Sequence, residues 1–374
     1  MLYLFVLGRD SLLSRLEVES LLETKGLKFN IVDESKNILV VNCDLLKPEI
    51  IDEFGGIIKI AELISSSGRF DQIEESLEKS SLYEGTKNKI EYYIDSFNTN
   101  LLSFLEDYLK DYFRKISIKA LYRKTKEPSK LINKNILESG VNLVVFKNYI
   151  GKVIAITNPL ELKKRDVHRP DVDYKKVISI RLAKILINIS KIKENQILLD
   201  PFCGSGTVLQ EALLKNVNVI GVDSDKESVG QAEKNLNWVT KEFKLKKKFE
   251  IYNLDCRNIA EKIKKNSVDV VVTEPYMGPY IRKLPNIYEA KNLVLELTNL
   301  YGILLNNLKN VVKNDGRVVI VIPKFRTREN KIVFIDFKNI AEKNGFILIN
   351  KPINYGYKES KLLRDIYVLE KIVN

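Results

Sequence analysis

Asp200-Pro201-Phe202-Cys203-Gly204-Ser205-Gly206-Thr207 follows the apolar run Gln196–Leu199 and leads directly into a second apolar stretch, Val208–Lys215. A strand ending in an acid, a turn with two glycines and an immediate helix form the repeating unit of open parallel sheets. Gly204 and Gly206 let the backbone come close to a ligand with no Cβ in the way. The same logic recurs downstream: the strand Asn218–Val222 ends at Asp223, Phe249–Leu254 at Asp255, and Val268–Val272 at Thr273-Glu274-Pro275-Tyr276. Ligands of such sheets bind beyond the carboxyl ends of the strands, so these four strand ends mark one crevice. A generic tight turn would account for the glycines but not for the acids that accompany them.

The residues also restrict the ligand. A dinucleotide fingerprint needs a third glycine where Leu209 stands, and the G-K-[ST] of a phosphate-binding loop is missing, which disfavours a pyrophosphate site and nucleotide hydrolysis. Asp223 lies roughly 20 residues past the turn, where a carboxylate accepts hydrogen bonds from ribose hydroxyls. A nucleoside without phosphates fits both facts, and S-adenosylmethionine is one. Asp255 is placed either to receive the adenine amine or to cap the helix after it. Thr273-Glu274-Pro275-Tyr276 stands where a methyl group would be presented. Transfer to an exocyclic amine needs an acceptor for its N–H and an apolar plate that holds the extruded base for in-line attack. Tyr276 supplies the plate; the acceptor is the Thr273 hydroxyl, the Glu274 carboxylate or a main-chain carbonyl. The plainer alternative is a turn around Pro275 with a core tyrosine. Cys203 reads as a small loop residue, since no second cysteine stands where covalent attack on a pyrimidine would need it.

Outward from this core, the chain of 374 residues carries 61 Lys+Arg against 49 Asp+Glu, a formal +12, with 45% hydrophobic and 29% charged residues. That is a globular composition with a leaning toward polyanions such as nucleic acid. No apolar run reaches the ~18–20 residues of a membrane span, and Met1–Leu7 is too short an apolar region for a signal peptide. A cytoplasmic protein is expected. Three scattered cysteines (Cys43, Cys203, Cys256) and one histidine, His168, argue against a disulfide scaffold, a metal centre and a Ser-His-Asp triad.

The alternation from residue 176 onward predicts an α/β unit with a mostly parallel, Rossmann-like sheet. Ahead of it, residues 1–70 read β-α-β-β-α-β, the ferredoxin-like pattern. They carry 8 basic and 11 acidic residues, so the basic excess lies entirely beyond them. The acidic stretch after Phe70 reads as a linker. A further α+β unit covers about 85–160, with a hairpin of Val141–Phe146 and Lys152–Thr157. Between Lys119 and Lys134 stand six basic residues, among them Lys119, Arg123, Lys124, Lys126 and Lys130, and one acid, Glu127. Such a loop either grips phosphates or is plain basic surface.

Asp200–Thr207 is similar to the first motif of class I methyltransferases that modify RNA bases, and Thr273–Tyr276 occupies the place of their [D/N/S]-P-P-Y motif. Leu7-Gly8-Arg9, Gly55–Ala61, Thr157–Pro159, Lys164–Asp166, Arg169-Pro170 and Ile178–Ala183 extend the likeness over nearly the whole chain. It resembles the archaeal-type tRNA guanine-N2 methyltransferases that act at tRNA position ten. The resemblance implies a ferredoxin-like domain (1–70), a THUMP-like RNA-binding domain (71–160), a linker (161–175) and a class I methyltransferase domain (176–374). It implies that Asp200, Pro201, Phe202, Cys203, Gly204, Gly206, Thr207, Asp223 and Asp255 hold S-adenosylmethionine, and that Thr273, Glu274, Pro275 and Tyr276 receive the guanine amine. The basic loop, Lys119 to Lys130, would grip tRNA; a monomer without metal or membrane partner is expected. The departure is at the catalytic corner, where Thr273 replaces Asp or Asn and Glu274 replaces Pro. The alternatives are an amino methyltransferase acting on another base (guanine N2 of rRNA, adenine N6, or DNA) and a non-catalytic RNA-binding protein on the same fold.

Overall fold

The computed structural model describes residues 1–124, 137, 140–171, 178–356 and 360–372. Lys126, Lys130 and Lys134 of the basic loop lie outside the described residues. The chain divides into two compact units, Met1–Lys164 and Arg165–Asn374.

In the first unit, β1 (Leu2–Leu7), α1 (Ser11–Thr24), β2 (Phe29–Glu34), β3 (Ile38–Cys43) and β4 (Ile57–Ser65) keep the expected order. The second helix of the pattern is only a six-residue 3-10 turn, Pro48–Glu53. The four strands pair antiparallel in the order β2-β3-β1-β4, and the sheet does not stop there. β4 pairs with β8 (Tyr149–Ile156), which continues through β7 (Gly140–Phe146) and β5 (Lys89–Phe97) to β6 (Lys119–Tyr122). One eight-stranded sheet therefore crosses the boundary expected at residue 70, and 1–70 and 71–160 do not separate as compact bodies. The supposed linker after Phe70 is the helix α2 (Phe70–Lys79), which buries Ile73 and Leu77. Its apolar residues recur at helical spacing, but its charge obscured them. α3 (Leu102–Lys115) covers the same face with Leu105, Leu109 and Phe113.

Inside this sheet Lys59 of β4, Asp95 of β5 and Asn142 of β7 are buried together: the Lys59 ammonium donates to Asp95 and, at 2.9 Å, to Asn142 Oδ1. Burial pushes the ammonium down and the carboxyl up, and each is drawn back by the charge of the other.

The second unit starts with the latter part of α4 (Pro159–Val167), so the expected linker 161–175 holds a helix and folds in part with the second unit. α5 (Ile180–Ile189) leads to β9 (Ile197–Asp200), α6 (Thr207–Leu214), β10 (Asn218–Asp223), α7 (Lys226–Glu242) and β11 (Phe249–Asn253). After β12 (Val268–Thr273) come α9 (Ile287–Val311), β13 (Val312–Arg326), α10 (Phe337–Lys343), β15 (Phe346–Leu348) and β17 (Leu362–Lys371). The short elements α8 (Ile259–Lys262), β14 (Ile332–Phe334) and β16 (Ile353–Tyr355) complete it. The strand order is β11-β10-β9-β12-β13-β17-β15, with β9 to β13 parallel and β17 antiparallel to its neighbours. This is the Rossmann-like sheet that was expected. From β9 the chain builds toward one edge, and from β12 toward the other. The topological switch point therefore lies between the carboxyl ends of β9 and β12, the place where ligands of such sheets bind. Among the described residues no helix is long and apolar enough to cross a membrane.

Candidate active site

The loop after β9 takes its shape from glycine. Gly204 has φ +51° and Gly206 φ +87°, a left-handed region that side-chain-bearing residues rarely adopt. A Cβ built on Gly204 would meet nothing within 4 Å, so the loop leaves open space in front of it. The Asp223 carboxylate at the end of β10 holds this turn, taking the Gly204 N–H at 2.9 Å on one oxygen and the Asp225 N–H at 2.9 Å on the other. It remains half-buried, with lone pairs left for a ligand. Asp255, just past β11, caps the next short helix through the Arg257 N–H and also grips the Arg257 guanidinium, which holds its carboxyl down at about 2. Both roles weighed for it from sequence are thus compatible, and the capping one is seen.

The other loop residues are buried or half-buried. Pro201, Cys203 and Thr207 are buried, and Phe202 packs partly into the core. Burial pushes the Cys203 thiol well up, so it is no nucleophile. Thr207 accepts a hydrogen bond of 2.6 Å from Arg169. Asn235 of α7 donates to the carbonyls of Ser205 (2.9 Å) and Asp171 (2.7 Å), and Arg165 makes a two-pronged pair with Glu211 at 3.0 Å. The segment 165–171 is thereby strapped behind the loop. Sequence reasoning singled out Arg165 and Arg169 only by resemblance and missed Asn235, whose partners are remote in the chain.

Asp200 and Thr273 meet at the switch point. The Thr273 hydroxyl, wholly buried, donates to Asp200 Oδ1 at 2.7 Å, and the same oxygen takes the Phe202 N–H at 3.1 Å. The Thr273 hydroxyl thereby locks one strand end to the next. Asp200, only 3% exposed, shapes the loop through the same contacts. Burial is the main reason its carboxyl is pushed up to about 7. A carboxyl raised in the folded state adds stability below its unfolded value near 3.9, and that stability is lost as pH rises through the folded value. Asp200→Asn keeps the acceptor oxygen and cannot ionise. Its melting temperature should gain on the parent between pH 4 and pH 8; a constant difference across that range would mean that Asp200 is not held neutral.

Beyond Thr273 the corner turns outward. Glu274 is the carboxylate that remains, with Arg364 Nε 3.2 Å from its Oε1. Burial raises its pKa and the Arg364 charge opposes that. Pro275 is buried, and Tyr276 is 45% exposed while its carbonyl accepts 2.7 Å from the buried Tyr301 hydroxyl. The corner thus carries a partly buried carboxyl at Glu274 and an exposed ring at Tyr276. In the first unit, Lys119 is exposed, Arg123 is paired with Glu91 at 2.6 Å and Lys124 lies 3.5 Å from Glu106.

The donor set fits a nucleoside ligand better than a nucleotide. Gly204 leaves space, while Asp223 and Asp255 at successive strand ends would repel phosphate and favour a cation. Comparison with known proteins agrees with this. The family model of an RMKL-like methyltransferase domain matches residues 169–351, and a DNA methylase model matches 48–234. A tRNA (guanine(10)-N2)-dimethyltransferase of Methanocaldococcus jannaschii is 29% identical over 192 residues, 49% of this chain and 49% of that protein. A probable tRNA (guanine(10)-N2)-dimethyltransferase of Methanothermococcus thermolithotrophicus is 32% identical over 143 residues, 37% of this chain and 77% of its own length. The match thus spans about half the length of the first of these relatives. Two solved structures share the fold over the full chain, each with a TM-score of 0.53: TrmN from Thermus thermophilus, 16% identical, and a possible methylase from Clostridium difficile 630, 14% identical. With the strand order and these likenesses in agreement, the chain belongs to the tRNA (guanine(10)-N2)-dimethyltransferase family, within the methyltransferases that both family models describe.

Proposed function

We propose that this chain methylates the exocyclic N2 amine of a guanine in tRNA, at position ten as its relatives' names state, with S-adenosylmethionine as donor. The observation that carries this reading is the meeting of the glycine loop and the Glu274–Tyr276 corner at one switch point. S-adenosylmethionine, when bound, supplies the electrophilic methyl group. The chain's own residues do the rest. The Gly204 backbone and the Asp223 and Asp255 carboxylates hold the nucleoside and balance its positive charge. Glu274 accepts an N–H of the amine, and Tyr276 offers its ring to the extruded base. Arg364 holds the Glu274 carboxyl in place and opposes the effect of burial on it. The first unit is read as a THUMP-like platform for the RNA, with exposed Lys119 available and Arg123 and Lys124 already matched to acids. The protein would act as a monomer in the cytoplasm.

The direct test is to incubate the protein with an unmodified tRNA transcript and labelled donor, then map the product nucleosides by mass spectrometry. N2-methylated and N2,N2-dimethylated guanosine at one position supports the reading. Methyl groups on adenine, or none, overturn it. Asp223→Ala should weaken donor binding by about 10-fold or more, the scale of one lost charge-assisted hydrogen bond pair, with tRNA affinity unchanged. Calorimetric titration that finds the donor affinity intact would remove Asp223 from the site.

A further inference from the structure

Among the described residues the exposed tyrosines all fall within one stretch: Tyr276 (45%), Tyr280 (85%) and Tyr288 (80%). Every other described tyrosine is at least partly buried. Large rings left in water at one place mark an interaction surface rather than scatter. The stretch is also basic: from Tyr276 to Lys291 it holds Arg282, Lys283 and Lys291 against one acid, Glu289. All four are exposed.

The backbone beneath these rings is held firmly. Lys361 donates to the Arg282 carbonyl at 2.6 Å. Arg328 grips the Leu284 carbonyl through its side chain at 2.7 Å and the Pro285 carbonyl through its main chain at 2.9 Å. Ile281 packs against the core, and Asn286 with Glu289 forms a capping box that fixes the start of α9. Tyr288 is the second residue of that helix, and Lys291 lies on its face one turn on. The loop turns its aliphatic side chains inward and its rings and cations outward.

From this arrangement we infer that residues 276–291 form a stacking platform for the unpaired RNA strand on either side of the target nucleotide. The proposal deepens the functional reading above and rests on it for the identity of the nucleic acid. Rings on a fixed backbone stack on any base, and cations between them match the phosphates; this is the composition of single-strand binding surfaces. Pro279 apart, the exposed side chains of the stretch are aromatic or charged, which sets it apart from an apolar protein contact. A base extruded toward Tyr276 brings its neighbours in the strand along the same stretch.

The test uses the full chain, an unmodified tRNA transcript and filter binding. Tyr280→Ala with Tyr288→Ala should raise the Kd for the transcript at least about 10-fold, equivalent to about 1.4 kcal/mol, while the donor affinity stays unchanged. Tyr280→Phe with Tyr288→Phe should bind within about 2-fold of the parent, because stacking uses the ring and not the hydroxyl. Arg282→Gln with Lys283→Gln should flatten the salt dependence by about 1.4 in slope, at about 0.7 per phosphate contact on a single strand. An alanine pair that binds like the parent overturns the platform, as does a phenylalanine pair that falls as far. Loss of self-association in the alanine pair, with tRNA affinity intact, would make the stretch a contact between copies and overturn it equally. A parent that binds the transcript without methylating it refutes the enzymatic reading and leaves the platform standing. A parent that methylates while the alanine pair is unaltered refutes the platform alone.

Discussion

Glu274→Gln lowers kcat for methyl transfer by about 100-fold or more, within the range that a positioned proton acceptor contributes, and leaves the donor affinity unchanged. The expectation comes from elimination at the corner. Thr273 has given its hydroxyl to Asp200 and faces the sheet interior. Glu274 is then the side chain of the tetrapeptide that retains an acceptor, and Gln preserves its shape but not its charge. The active form is the carboxylate, so the rate should fall as pH drops through the pKa of Glu274, which burial has raised. The charge that acts on this group is that of Arg364, which opposes the effect of burial, while Glu274 in turn acts on Asp200 and on the buried Tyr301 hydroxyl. Arg364→Met should therefore move the acidic limb of the pH–rate profile to higher pH, and Arg364→Lys should largely restore it. A Glu274→Gln variant that turns over within about 3-fold of the parent would shift the acceptor role to a main-chain carbonyl.

Lys59→Met costs the first unit about 3–5 kcal/mol, the usual penalty when one partner of a buried ion pair is removed. Asp95 would remain wholly buried with its counter-charge gone, held only by Asn142. Because the pair joins β4 to β5 and β7, the loss should spread across both halves of the eight-stranded sheet. Hydrogen exchange monitored by mass spectrometry should show faster exchange in peptides covering 57–65, 89–97 and 140–146. Lys59→Met with Asp95→Leu should recover most of the stability, since an apolar pair of similar volume often replaces a buried ion pair without loss. A single Lys59→Met change that costs under about 1 kcal/mol would mean that Asp95 is neutral in the native protein.

The sequence made some of this architecture readable and hid the rest for physical reasons. Strand ends at Asp200, Asp223 and Asp255 could be read because period-two and helical patterns alternate cleanly around them. The switch point of the sheet could therefore be placed from chain order alone. The fate of Thr273 could not be read in this way: its hydrogen bond reaches 73 residues back and depends on β9 and β12 being neighbours. That contact also gives a reason for the unusual tetrapeptide. An aspartate in place of Thr273 would set a second carboxylate against buried Asp200, whereas a hydroxyl can donate to it. The continuous first sheet was hidden in the same manner, because β4 and β8 are nearly ninety residues apart in the chain. The helix at Phe70–Lys79 was hidden by composition, since its charged surface masked the Ile73–Leu77 stripe.

The strap formed by residues 165–171 sets where the molecule can be cut. Excision of the second unit at residue 176, the border that sequence pattern suggests, would strip away the guanidinium facing Glu211 and strand that acid in the interior. It would also remove the backbone that Asn235 clasps and the cation seated on Thr207. The same short stretch thus acts as a hem on the second unit: unpicked, it frays the glycine turn after β9, so the smallest self-sufficient piece begins upstream of Arg165.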